Sequence, residues 1–215
     1  MTFAPKMQKP QHTEDPTISS IKLSESDKKY ENSADRDIWK AFNKGNETAF
    51  NYIYRVYAPA LFQYGWQFSK DKNILQDCIQ NIFIYLRSKR GDLTKVNSIR
   101  AYLFKIMQRE VLRMVKSEKQ SIHSSWDYNE RIFPIEICHE TKLIQQEYDI
   151  EMKRKIQYAM NQLTSRQRQA VLLLIEEGMN YKEIAEVMEF SDVRSARKII
   201  YRALDTLKVL IRNKK

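Results

Sequence analysis

Glycine and proline are scarce in this chain, with four and five among 215 residues. So few breakers leave little room for the tight turns of an all-β fold. Apolar residues recur three and four apart almost throughout instead of alternating, so the expected fold class is all-α. Cysteine is equally sparse. Cys78 and Cys138 stand far apart with no CxxC pair, which argues against a disulfide framework or a cysteine zinc site and leaves two reduced thiols, read as buried. Three histidines, His12, His123 and His139, lack metal-ligand spacing, and there is neither a phosphate-cradling glycine loop nor a triad-like arrangement. An enzyme acting on nucleic acid is therefore disfavoured, and no metal or cofactor is expected. The longest apolar run, Ala170 to Ile175, falls far short of the roughly 20 residues of a spanning helix. Residues 1–16 carry no apolar signal segment, so the expectation is a cytoplasmic protein without membrane insertion.

Positive charge is abundant. Lysine and arginine number 37 against 27 acidic residues, a net charge of +10 and a pI near 9.5, which favours an anionic partner such as nucleic acid or an anionic membrane. The hydrophobic fraction of 42% is enough for one large or two small cores. Residues 1–32 are polar and broken by Pro5, Pro10 and Pro16, and read as a flexible tail. A helical block follows over 33–118. Its first helix is opened by Ser33 as a candidate N-cap and stopped by Gly45, with Ile38, Trp39 and Phe42 as the apolar stripe. The others span about 46–68, with Pro59 expected to kink it, then 71–89 and 98–118, separated by a polar loop at 90–97. Residues 119–141 lose the periodicity and read as an extended linker. Four more helices are expected in a second block over 142–215, at about 142–162, 165–177, 181–188 and 192–213. The architecture is thus two small helical domains joined by an extended linker.

The second block has the pattern of a helix-turn-helix. Asn180 can cap the helix from Tyr181, and Glu183 sits three residues on, where it can reach back to the cap. Ile184, Ala185 and Met188 form its apolar face, and Glu189-Phe190-Ser191 make a short turn. In the last helix Val193, Ala196, Ile200, Ala203, Leu207 and Leu210 recur at helical spacing as the buried stripe. Arg194, Arg197, Lys198, Tyr201 and Arg202 remain as a basic, aromatic face suited to phosphates and guanine edges in a major groove. An ordinary solvated face has similar composition, but the capped helix and short turn before it favour DNA.

In the first block, Leu75, Cys78, Ile79, Ile82, Phe83 and Leu86 build the stripe of one helix and leave Asp77, Gln80, Asn81 and Ile84 opposite. An exposed isoleucine beside an acid and two amides fits a protein-contact surface, although a lone exposed apolar residue is ordinary. On the next helix Ile99, Leu103, Ile106, Met107, Val111 and Met114 face inward, while Tyr102, Lys105, Arg109, Arg113 and Lys116 gather elsewhere. Basic groups attract phosphate and an aromatic ring stacks an unpaired base, so this face fits single-stranded DNA as well as solvent.

Several segments resemble the sigma factor family of bacterial RNA polymerase, in its extracytoplasmic-function (ECF) group. Asp77-Cys-Ile-Gln80-Asn81-Ile-Phe83 is similar to the family's D-x-x-Q-[ED]-x-F signature, and Ala101-Tyr-Leu-Phe-Lys-Ile106 resembles its W-L-y-r-I helix. Leu163-Thr-Ser-Arg-Gln-Arg168 and Glu177-Gly-Met-Asn-Tyr-Lys-Glu-Ile-Ala185 resemble its L-p-x-x-x-R and e-G-x-s-y-x-E-I-A elements. The resemblance covers about 35–116 and 142–213. It implies a region 2-like first domain in which Asp77, Gln80, Asn81, Phe83 and Ile84 belong to the polymerase-binding helix, Phe83 being internal by its phase. Tyr102, Lys105, Arg109, Arg113 and Lys116 would meet the melted −10 element, with the loop 90–97 forming the pocket for an extruded base. It further implies a region 4-like second domain reading the −35 element through Arg194, Arg197, Lys198, Tyr201 and Arg202. Core RNA polymerase, promoter DNA and an anti-sigma factor would be the partners, with catalysis left to the polymerase. Four departures stand out. Tyr102 replaces a common Trp, Arg109 a common Asn, and Glu189 the turn glycine, while 191–203 is about one residue longer. The alternative is a helix-turn-helix regulator acting without core polymerase.

Overall fold

A computed structural model describes residues 28–120 and 147–213, and all regular structure among them is helical. The first block holds α1 (Lys28–Glu31), α2 (Asp35–Asn43), α3 (Glu47–Gly65), α4 (Lys72–Ser88) and α5 (Ile99–Gln120). The second holds α6 (Glu147–Gln162), α7 (Ser165–Ile175), α8 (Tyr181–Val187) and α9 (Val193–Asn213). The linker expected over 119–141 lies mostly outside the described residues, as do Cys138 and the three histidines.

Four of the helices begin at a side-chain cap. Asn46 accepts the Ala49 amide and Asp71 the Asn73 amide, so α3 and α4 begin with side-chain caps. Thr164–Gln167 and Asn180–Glu183 form reciprocal capping boxes at α7 and α8, the second as the spacing predicts. Two helix starts differ from expectation. Ser33 does not cap α2, because its hydroxyl donates back to the Lys29 carbonyl and the N-cap is Ala34, with no side-chain bond. Within the segment read as tail, α1 forms a single turn that buries Tyr30 against the ring of Tyr52, with centroids 5.7 Å apart. Pro59 lies inside α3, which continues through it to Gly65.

The first block packs α3, α4 and α5 around Ile53, Leu61, Leu75, Ile79, Leu86, Leu103 and Met107, all buried. A Cβ on Gly65 would come within 2.6 Å of Met107 and 2.8 Å of Leu75, so this glycine lets α3 approach both neighbours closely. Cys78 is buried, as expected, and burial pushes its thiol up to about 12, which disfavours the reactive thiolate. In the second block, Ala159, Met160, Leu163, Val171, Leu172, Ala203 and Leu207 form a core between α6, α7 and α9. The apolar stripe of α9 starts at Ala196. Val193, expected inside, is 37% exposed at the first residue of the helix.

The two blocks do not stand apart. One continuous apolar cluster runs from Phe42, Leu61 and Phe104 in the first block to Leu173, Ile184, Ala185 and Ile200 in the second. At its polar edge Gln169 donates to the Tyr64 hydroxyl at 2.7 Å and to Gln108 Oε1 at 2.8 Å, while Tyr64 donates to the same oxygen at 3.2 Å. This triangle pairs the polar tips of all three side chains, which is what permits the burial of Tyr64 and Gln169.

Candidate nucleic-acid interface

The outer face of α4 carries Asp77, Gln80, Asn81 and Ile84 in solvent, as their phase predicts, and Ile84 is 58% exposed. Tyr85, absent from the set expected on this face, is the next residue along the helix and is also exposed, at 46%. The signal that could have found it is adjacency to Ile84 on a helix whose opposite stripe is already filled. Asn81 donates to Glu110 at 3.4 Å, tying this face to α5. Phe83 is not part of this surface. Its ring is buried edge-on to Tyr54 and Phe50, at 4.8 and 6.0 Å, so it supports α4 from within, as its phase predicts.

The loop 90–97 is held by α2 and the start of α3. Trp39 donates its indole N–H to the Thr94 carbonyl at 2.9 Å, Asn43 donates to the Leu93 carbonyl, and Gly91 donates to Asn43 Oδ1. Arg90 binds Glu47 at 2.6 Å with its guanidinium over the Phe42 and Phe50 rings. That hydrogen bond holds the Glu47 carboxyl below its ordinary value. Past the loop, Asp35 of α2 accepts the Ile99 amide at 2.7 Å and Ser98 accepts the Ala101 amide, capping α5 from two sides. Tyr102 sits half-buried beneath, edge-on to Trp39 at 5.2 Å, and burial raises its phenol above the usual value.

The cations assigned to α5 fall into two groups. Arg113 binds Glu110 one turn back, at 2.7 and 3.0 Å, and Lys116 is exposed. Lys105 and Arg109 instead meet the carboxylate of Glu189, from the turn between α8 and α9. The basic residues of α5 are therefore divided between Lys105 and Arg109, which pair with the second block, and Arg113, which pairs within its own helix.

On α9, Arg194, Arg197, Lys198, Tyr201 and Arg202 are all exposed, so the five side chains expected to read DNA share one open surface. Asp192 accepts the Ser195 amide at 2.8 Å and caps the helix. Arg197 lies over the ring of Tyr181, which is 6.4 Å from that of Tyr201, so α8 adds an aromatic side chain that α9 periodicity alone does not reveal. Behind this surface Arg168 is buried and donates to the carbonyls of Met160, Asn161 and Leu163. It closes the C-terminal end of α6, where unpaired carbonyls favour a cation. Among the described residues no cluster of metal-ligating side chains occurs, and no helix is long and apolar enough to cross a membrane.

The Sigma-70 region 2 family matches residues 53–121 and the Sigma-70, region 4 family matches residues 153–207, together more than half of the chain. The ECF RNA polymerase sigma factor SigM of Bacillus subtilis (strain 168) is 24% identical over 160 residues, 74% of this chain and 92% of that protein. Two solved structures share the fold. CnrH, in complex with the cytosolic domain of CnrY, aligns with a TM-score of 0.55 and 20% identity over 84% of this chain and 99% of the other. The sigma factor RpoE, in complex with the anti-sigma factor NepR from Bartonella quintana, aligns with a TM-score of 0.53 and 19% identity over 77% of this chain and 98% of the other. With both regions matched in order on two helical blocks, the chain belongs to the sigma-70 family of RNA polymerase sigma factors, in its extracytoplasmic-function group.

Proposed function

We propose that this sigma factor, which directs RNA polymerase to promoters, divides the task among three surfaces. The α4 patch of Asp77, Gln80, Asn81, Ile84 and Tyr85 docks on core polymerase. The α9 face of Arg194, Arg197, Lys198, Tyr201 and Arg202 binds the −35 element as duplex. The loop 90–97, with Tyr102, Lys105, Arg109, Arg113 and Lys116, captures the melted −10 strand. The observation that carries this reading is the open basic and aromatic face of α9 on a capped helix-turn-helix, in a chain that also presents the exposed α4 patch. Contacts to duplex and to unstacked bases would offset the few kcal/mol per step that opening DNA costs. The chain itself performs no covalent chemistry in this scheme. It acts in the cytoplasm beside the polymerase, and an anti-sigma factor is a further partner, as in the RpoE–NepR complex.

Run-off transcription with purified core polymerase over a genomic promoter library tests the assignment. Promoter-dependent transcripts that require this chain are expected. Sequence-specific duplex binding without any core-dependent transcript would instead identify a regulator that acts without core polymerase.

A further inference from the structure

The loop 90–97 is anchored through the side chain of its first residue. Arg90 has only 15% of its side chain exposed, and its Nη1 donates to Glu47 Oε1 at 2.6 Å and to the Gly45 carbonyl at 3.5 Å. Its guanidinium lies 5.0 Å from the Phe42 ring centre and 5.5 Å from that of Phe50, so two aromatic side chains confine it. Nε and Nη2 are buried with no hydrogen-bond partner among the described residues, so the Nη1 edge alone fixes the orientation of the group. A half-satisfied guanidinium is a poor source of stability, because desolvation offsets much of what the ion pair gains. It is an effective locator, because a planar group pinned at one edge and stacked on two rings has little freedom. The residues that follow are held from the same corner of α2 and α3. Gly91 turns at φ 98 and donates to Asn43 Oδ1, and the carbonyls of Leu93 and Thr94 accept from Asn43 and Trp39. Arg87 reaches the Glu47 carboxylate as well, at 3.4 Å, but from α4 and outside the loop.

We propose that Arg90 and Glu47 are positioning residues for the −10 strand, forming a latch that sets the shape of the loop 90–97 before DNA arrives. Neither side chain touches DNA in this scheme. A loop ordered in advance captures a base more tightly, because the entropy of fixing the segment is lost on folding and not on binding. The inference rests on the assignment of the loop to base capture.

The full chain is compared with Arg90→Gln, Arg90→Lys and Glu47→Gln, both free and as holoenzyme with core polymerase. Amide hydrogen exchange of residues 90–97 reads the latch in the free chain. Promoter fragments from the run-off library, with 2-aminopurine at adenines of the −10 element, read base unstacking by fluorescence. Urea unfolding verifies that each variant folds. Arg90→Gln and Glu47→Gln are both expected to speed loop exchange and to weaken the holoenzyme dependence of unstacking by about threefold to tenfold. Arg90→Lys keeps the ion pair but not the planar stacking, and is expected to fall between them and wild type. The two Gln variants change net charge in opposite directions. A loss with Arg90→Gln and a gain with Glu47→Gln would therefore reveal direct attraction of Arg90 for phosphate and would overturn the latch. Unchanged loop exchange would overturn it too. Faster exchange with undiminished unstacking would leave the pair a purely structural contact and overturn its role in capture. No core-dependent transcript from wild type on any promoter would overturn the proposed function and the capture role with it, whereas loop exchange would still decide whether the latch exists.

Discussion

Arg168 shows how a side chain that resembles a DNA-binding cation serves structure instead. Its guanidinium closes the end of α6 through three backbone carbonyls, and burial lowers its pKa from the usual value. Arg168→Ala would strand those carbonyls and is expected to destabilise the second block by about 2–4 kcal/mol, read by urea unfolding. Glu177 is a second case. Burial pushes its carboxyl up to about 7, Arg100 opposes the shift, and Glu176 adds to it. Tyr64, whose phenol burial raises, also feels this carboxyl. The folded state therefore holds a proton that the unfolded chain, with an ordinary glutamate pKa of 4.5, has released. The contribution of Glu177 to stability accordingly grows as pH falls from about 7 towards 4.5, and is unfavourable above that window. Glu177→Gln is expected to raise the melting temperature relative to wild type at about pH 8, with the gap closing towards about pH 5.5. A gap independent of pH would assign the effect to packing.

At the scale of the element, caps and faces separate stability from recognition. Asn180 satisfies two amides at the start of α8. Asn180→Ala is expected to cost about 1 kcal/mol in denaturant unfolding. Substitutions on open faces should leave stability nearly unchanged. Arg194→Ala or Lys198→Ala is expected to weaken promoter duplex binding and to reduce the salt slope by about 1 for each phosphate that is no longer neutralised, with core binding intact. Asp77→Ala with Gln80→Ala is expected to do the reverse, weakening core binding in a pull-down while duplex affinity persists. Equal loss of both activities in every variant would show that the surfaces are misplaced. Most of this element-level organisation was legible in the sequence. Stripes such as Leu75–Leu86 in α4 and Ala196–Leu207 in α9 emerge from helical periodicity, because a helix packed on one side must be apolar there. Cap identity was less legible. Asn180 and Glu183 announce themselves by spacing, whereas Ser33 has the right residue type but turns its hydroxyl back to Lys29.

Across the whole molecule, the shared apolar cluster makes the two blocks one thermodynamic unit while they remain docked. Calorimetry of the wild-type chain is expected to give a single cooperative transition, and Gln169→Ala to separate it into two. Two transitions in the wild type would show that the docking of the blocks is too weak to couple them.

The amino-acid sequence by itself determined the helices after α1, the exposed sets on α4 and α9 and the resemblance to sigma factors, because each follows from local periodicity, capping chemistry or a short motif. Only the tertiary structure decided which faces of α5 are covered. Phe104 was absent from the expected stripe, yet it is fully buried with its ring 4.8 Å from Tyr64, because α5 packs on its own block and on the second block at once. A single-stripe pattern does not encode a second packing surface. The polar residues on that surface, Gln108, Lys105 and Arg109, look solvated until Gln169 and Glu189 arrive from positions 61 residues away or more in the chain. Pairings at that separation depend on how the two blocks dock, which no local pattern specifies.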